Sequence, residues 1–221
     1  MSKKSSVMNF LNSEVVNIPF QPVWQYIYSL GLFVTISVGM VFLGHNYQVQ
    51  RNREAQDAMY QAVYHFEAGE FVQALQGDEI HVGLLDIVTT YRFTKAANLA
   101  RFYVGASYIH QKDYAKAIPY LKRFSTRSAL LRARAWVLIG DAYIATQNAS
   151  QAASYYLRAS RCKPNAVFTP IYLQKAAEAF EVDHAYTNAL NCYIRLEKEF
   201  ADTIQGKEAQ KHVSRLRTKK V

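Results

Sequence analysis

Three sets of residues have side chains able to do chemistry, and spacing decides what each can do. The six histidines are His45, His65, His81, His110, His184 and His212. A zinc site wants two of them a helical turn apart, or an HExxH pair, and neither occurs. Cys162 and Cys192 lie 30 residues apart with no CxxC or Cys/His ligand pattern. They read as small buried hydrophobes, or as a disulfide if the domain faces an oxidising compartment. The third set is Gly140-Asp141 in "WVLIGDAY". A phosphate cradle needs a Gly-rich loop ahead of a helix N-terminus, whereas this pair lies inside a helical run. There is no GxSxG, no P-loop and no evident catalytic pair of acids. Enzymatic chemistry, metals, cofactors and small-molecule substrates are therefore not expected.

Composition points the same way. Half of the 221 residues are apolar, with 16 Tyr and 12 Phe, so a packed core is expected and global disorder is not. Only 9 Gly and 5 Pro disfavour a turn-rich β architecture. The net charge of +9 is spread widely, with some concentration at Lys207, Lys211, Arg215, Arg217, Lys219 and Lys220. Such a balance suits nucleic acid or an anionic membrane surface. Here the aromatics fall at repeat core positions and the basic residues on solvated faces, so nucleic acid is not the expected partner.

From Val15 to Gln50 no Asp, Glu, Lys or Arg occurs. Within this window Val23–Leu43 is long enough to cross a bilayer, since about 20 residues at 1.5 Å rise span a ~30 Å hydrocarbon core. Trp24, Tyr26 and Tyr28 at one end and Tyr47 beyond the other form aromatic belts, and Pro22 suits a first helical turn. The stretch is too long for a signal-peptide core, and no A-x-A site follows. A retained single-pass anchor is expected. Lys3 and Lys4 before it nearly balance Arg51 and Arg53 after it, so charge specifies orientation weakly. Gly31, Thr35 and Gly39 fall on one face; this stripe either admits a partner helix or reflects the ordinary abundance of glycine in membrane helices.

Self-comparison exposes a repeat. Trp136, Ile139, Gly140, Tyr143, Ala152, Tyr156, Ala159 and Pro164 match the tetratricopeptide signature at all eight positions. Val104, Gly105, Tyr108, Ala117, Leu121 and Phe124 form a preceding copy. Leu173, Ala176, Ala177, Phe180, Ala189, Tyr193 and Leu196 form a following one. The copies start 35 and 37 residues apart, and Ala62, His65 and Ala74 fit a degenerate earlier copy. Each unit pairs two antiparallel helices: small residues at Gly105, Gly140 and Ala177 meet Ala117, Ala152 and Ala189, and large residues fill between layers. Trp136 and Tyr143 are expected in the core, with Gly140 closing on helix B near Ala152. One unit cannot bury its own face, so units stack. "QKDY", "TQNA" and "VDHA" are the turns within units.

The expected fold is thus all-α: one N-terminal transmembrane helix followed by a tetratricopeptide α-solenoid. The boundaries are a tail at 1–22, the membrane helix at 23–44, and a degenerate first repeat with an insertion helix at 45–96. Three units at 97–204 and a basic capping helix at 205–221 follow. Thr94 is the expected N-cap after the insertion, and Val213 and Leu216 should seat the cap on the last repeat.

The layout resembles membrane-anchored tetratricopeptide proteins of Bacteroidetes-type bacteria, similar to the ancillary subunit of the Sec translocon. The residues that carry the likeness are "REAQDAMYQAVYHFEAGEF", "GDEIHVGLLDIVTTYRFTKAANLARFYVGASY", "GDAY" and "YLQKAAEAFE", over roughly residues 23–215. The resemblance implies an inner-membrane protein with its repeats in the periplasm, accompanying the Sec channel and periplasmic chaperones. The partners expected are then Sec subunits, chaperones or emerging chains. The alternative is a cell-envelope assembly scaffold that does not handle translocating substrate.

In such repeats helix A lines the inner surface. The corresponding positions are Gln56, Met59, Val63 and Phe66, then Leu99, Phe102, Ala106 and Ile109. Arg134, Val137, Asp141 and Ile144 follow, then Ile171, Gln174, Glu178 and Glu181. Repeat domains that clamp acidic chaperone tails carry Lys and Asn at positions where this chain has Val63, Ala106, Asp141 and Glu178, so that clamp is not expected. The apolar end would receive a hydrophobic segment, or else Phe66 and Phe102 are core beneath the insertion helix. Asp141 is a contact candidate.

Overall fold

The structure, a computed structural model, describes the backbone of residues 20–219 and the side chains of residues 24–218. Lys3, Lys4 and Lys220, and the side chains of Pro22 and Lys219, lie outside the described residues. All regular elements among the described residues are helical. They are α1 (Phe20–Glu67), α2 (Phe71–Gln76), α3 (Leu84–Thr90), α4 (Lys95–His110) and α5 (Tyr114–Arg123), then α6 (Ala129–Ala145), α7 (Ala149–Ser160), α8 (Thr169–Val182), α9 (Tyr186–Glu199) and α10 (Ile204–Lys219). The chain divides into two units, residues 1–49 and 50–221.

The first unit contributes the apolar part of α1. α1 is the one helix among the described residues with a stretch long and apolar enough to cross a membrane. Its large side chains face outward: Leu30, Phe33, Met40 and Val41 are 65%, 69%, 68% and 73% exposed. Exposed to water, each would forgo roughly 1.5–3 kcal/mol of burial free energy. The serine and threonine hydroxyls in this stretch are satisfied within the helix. Ser29 Oγ donates to the Tyr26 carbonyl at 2.9 Å, Thr35 Oγ1 to Leu32 at 2.8 Å, and Ser37 Oγ to Phe33 at 2.8 Å. That back-bonding lets polar side chains enter hydrocarbon without an unpaired donor.

In the second unit each helix packs on its neighbour in sequence from α3 to α10, and α2 packs on α3 and α4. Arg51 Nη2 donates to the Thr90 carbonyl at 3.0 Å, and Asn52 Oδ1 accepts from Ala96 N at 3.0 Å, which ties α1 after Gln50 to the α3–α4 segment. Thr94 caps α4 as expected, its Oγ1 accepting from Ala97 N at 3.0 Å.

The same helix ending recurs four times. After α1, Gly69 N donates to Phe66 O and Glu70 N to His65 O; after α4, Lys112 N to Ile109 O and Asp113 N to Tyr108 O. After α6, Gln147 N donates to Ile144 O and Asn148 N to Tyr143 O; after α8, His184 N to Glu181 O and Ala185 N to Phe180 O. These are Schellman turns. Their left-handed residues are Gly69, Lys112, Gln147 and His184, with φ of 82°, 62°, 59° and 58°. The last three are 35 and 37 residues apart, the period of the sequence repeat. The residue after the turn then opens the next helix. Asp113 and Asn148 do so with side-chain caps on Lys116 N and Gln151 N.

Small residues bring paired helices together. A Cβ on Gly105 would collide with Leu121 of α5. One on Gly140 would stand 2.5 Å from Tyr156 Cε1 and 2.7 Å from Cδ1. Gly140 therefore closes on the Tyr156 ring, one helical turn past the Ala152 contact expected. Ala152 and Tyr156 share the largest buried cluster with Leu173, Ala177, Tyr193 and Leu196, and Val213 and Leu216 of α10 complete it.

Candidate functional site

The expected inner-lining residues separate into two environments. At the first, Gln56, Met59 and Val63 of α1 line an open cavity of about 320 Å³ together with Tyr60, Tyr64, Glu67 and Tyr103. Tyr60 and Tyr64 are 77% and 59% exposed. They follow Met59 and Val63 by one residue and lie a turn apart. Sequence reasoning missed them because it followed the offset series alone; the exposed i, i+4 tyrosine pair in "AMYQAVYHFE" was the available signal.

Phe66 and Phe102 are covered. The Phe66 ring packs edge-on against Phe71 and Tyr103, with centroids 5.6 and 5.1 Å away. Phe102 is 6% exposed among Ala117, Leu121, Ala135 and Ile139, and Phe124 closes over it at 5.4 Å. The covering rings come from α2, α4 and the end of α5, and the insertion helix α3 supplies Leu84 and Ile87 to the cluster on which Phe66 packs. Ile109 is half-buried at the edge of the same cluster.

In the second environment the acids Asp141, Glu178 and Glu181, with Gln174, are already engaged. Asp141 Oδ1 accepts from Tyr156 Oη at 2.6 Å and from Lys175 Nζ at 2.6 Å. Burial, and then this bond to the Asp141 carboxylate, push the Tyr156 phenol far above its ordinary pKa. Glu181 repeats the arrangement one repeat later, accepting from Tyr193 Oη at 2.9 Å and Arg215 Nη2 at 2.8 Å. Gln174 Nε2 donates to Glu178 Oε1 at 2.9 Å. Arg134 is exposed, Ile144 is 41% exposed, and Val137 packs against the core. Asp141 thus holds α6, α7 and α8 together, so any partner contact would have to share its carboxylate.

Gly31 and Gly39 have nothing within 4 Å of a would-be Cβ, and Thr35 is exposed, so the stripe is an open face of α1. Cys192 is buried and Cys162 half-buried, both as free thiols. Burial pushes the Cys192 thiol up to about 11, which suppresses its nucleophilic form. His65 sits between Glu70 Oε2, 2.6 Å from Nδ1, and Asp78 Oδ2, 3.4 Å from Nε2. Asp78 in turn caps the loop before α3, accepting from Ile80 N at 2.8 Å and His81 N at 2.6 Å. Among the described residues no three His, Cys, Asp or Glu side chains converge on a metal-sized site.

No protein-family model matches this chain, and no curated protein matches it.

Proposed function

We propose that this protein is a membrane-tethered scaffold that binds other polypeptides. Its helical hairpins are read as tetratricopeptide units, and its α1–α4 face as the seat of an apolar segment of the partner. The observation that carries this reading is the cavity of Gln56, Met59, Val63, Tyr60, Tyr64 and Tyr103. Three of its residues sit at the offsets that line the groove of such repeats. Its exposed tyrosines combine large contact area with few rotors, the make-up of an energetic anchor for a protein partner. Two further observations support the frame: the repeated Schellman turns at the sequence period, and the outward-facing apolar stretch of α1.

The partner proposed is the Sec translocon with its periplasmic chaperones or emerging chains, with the anchor in the bacterial inner membrane and the repeats in the periplasm. This finer reading rests on the sequence resemblance. Affinity purification of the full chain in mild detergent tests it. Recovery of Sec channel subunits supports it; recovery only of cell-wall or outer-membrane assembly factors replaces it with the envelope-scaffold reading. A C-terminal reporter fusion active only in the cytoplasm would overturn the periplasmic placement.

A further inference from the structure

The opposite face of α6 carries a second feature. Arg132, Trp136 and Ile139 lie on the side of this helix away from Arg134, Val137, Asp141 and Ile144, as a 3.6-residue period requires. They line a cavity of about 520 Å³ with Lys122, Phe124, Ser125, Thr126, Tyr155 and Arg158. Phe124, Ser125 and Thr126 also line an adjoining cavity of about 930 Å³, with Arg92, Lys95, Arg101 and Arg127 around Phe93 and Leu131. The two cavities therefore flank one segment and together hold seven cations.

No carboxylate lines either cavity. None of the seven cations forms an ion pair among the described residues; Arg101 donates to the Arg92 carbonyl, Lys122 to Tyr143 Oη, and Arg132 to the Thr126 carbonyl and Cys162 Sγ, all neutral acceptors. Arg132 Nε is buried without any hydrogen-bond partner. Clustered like charges oppose folding unless a counter-charge arrives, and an unpartnered buried donor costs stability. An anion in the groove relieves the first. Trp136, expected in the core, is half-buried here and serves as a platform. Arg158 Cζ lies 4.6 Å above its ring and 5.2 Å from the Tyr155 ring, and Arg132 Cζ lies 5.7 Å from Trp136.

We propose that this groove binds an acidic, extended polypeptide segment. Its carboxylates would meet the guanidinium groups of Arg132 and Arg158, and an apolar side chain would sit against Phe93 and Leu131. Guanidinium forks match carboxylates bidentately. In the first cavity Trp136 is covered by Arg158 and Arg132, and Tyr155 is stacked on Tyr143 at 5.8 Å, so neither ring is free for a base; Phe93 in the second, 75% exposed, is the apolar contact offered to the peptide. Recession of Arg132 Nε argues against a flat lipid surface, which would reach exposed cations first. This groove is independent of the α1–α4 face, and either can fail without the other.

The test uses the full chain in neutral detergent and a short fluorescein-labelled peptide of glutamates around one central phenylalanine. Fluorescence anisotropy at physiological salt reads binding. Arg132→Gln with Arg158→Gln should weaken it by about tenfold or more. Arg158→Gln alone, at an exposed side chain, should weaken it by roughly threefold, which keeps the test valid if the double variant misfolds. Lys207→Gln with Lys211→Gln, an equal loss of charge on α10, should leave binding unchanged. Equal binding by all variants, or no peptide binding, would overturn the proposal. So would capture of a single-stranded oligonucleotide or of phosphatidylglycerol vesicles in preference to the peptide.

Discussion

Lys175 Nζ lies 2.6 Å from Asp141 Oδ1, a contact that reaches from α8 back to α6. Tyr156 of α7 donates to the same oxygen. One carboxylate thus serves three consecutive helices, and its loss should be felt more than the loss of either donor. Asp141→Ala leaves the Tyr156 hydroxyl unmatched in a mostly buried site and should cost about 1–3 kcal/mol. Lys175→Ala removes only a partly exposed ion pair and should cost under about 1 kcal/mol. Thermal melts of the full chain in detergent, followed by circular dichroism, give the order; a larger effect at Lys175 would contradict it.

Gly140 and Gly39 are both glycines inside helices, yet they should respond oppositely. A Cβ at Gly140 meets the Tyr156 ring, which Asp141 restrains, whereas one at Gly39 meets nothing. Gly140→Ala should destabilise by about 1–3 kcal/mol through overpacking, despite the roughly 1 kcal/mol that alanine gains in helix propensity. Gly39→Ala should leave the melting of the second unit unchanged. An unchanged melt for Gly140→Ala would remove the packing role assigned to it.

Gln147 holds the left-handed position after α6 with φ 59° and is exposed. That conformation costs a side-chain-bearing residue about 1–2 kcal/mol, against roughly 0.5–1 kcal/mol of extra backbone entropy for glycine. Gln147→Gly should therefore raise stability by about 0.5–1 kcal/mol. A fall in the melting temperature would show that the Gln147 side chain contributes more than the turn strain it carries.

The repeat was legible because its signature is one of alternating size. Gly105, Gly140 and Ala177 against Tyr108, Tyr143 and Phe180 mark which helix faces close together, and the turns QKDY, TQNA and VDHA fall where α4, α6 and α8 end. Thr94 was readable for the same local reason, as a cap needs only its neighbours. The cover over Phe102 was not readable. Its offset names a helix face, but Phe124, which closes over it, arrives from the far end of α5. Asp141 posed the same difficulty, since its partners Tyr156 and Lys175 are 15 and 34 residues away. Trp136 packs against the core as its signature position implies, but it is only half-buried, and that position says nothing of the cations around its open side. The left-handed Lys112, Gln147 and His184 were hidden because none is glycine or asparagine.

The loop before α3 should respond to pH through His65. Its hydrogen bond to Glu70 is the largest of the influences that raise its pKa above the ordinary value; burial opposes and the Asp78 contact assists. Because the folded value is the higher one, the stabilisation is fully present below about pH 6.5 and fades as pH rises through the folded pKa. Asp78 works in the other direction. The backbone N–H groups of Ile80 and His81 hold its carboxyl well below the usual range, so its contribution is present above about pH 4 and fades on acidification. Hydrogen exchange at residues 77–83 should quicken beyond the pH-dependence of intrinsic exchange as pH rises from about 6 to 8. His65→Gln should abolish that excess; an excess that survives the substitution would place the switch elsewhere.

The central claim is that the α1–α4 face contacts a polypeptide. Site-specific photo-crosslinking in intact cells tests it most directly, with the probe placed at Val63 or Tyr64 and, as a control, at the exposed Gln151 of α7. The account predicts discrete protein adducts from Val63 and Tyr64 and none from Gln151. Adducts to lipid alone, no adducts, or an identical pattern from all three positions would contradict it.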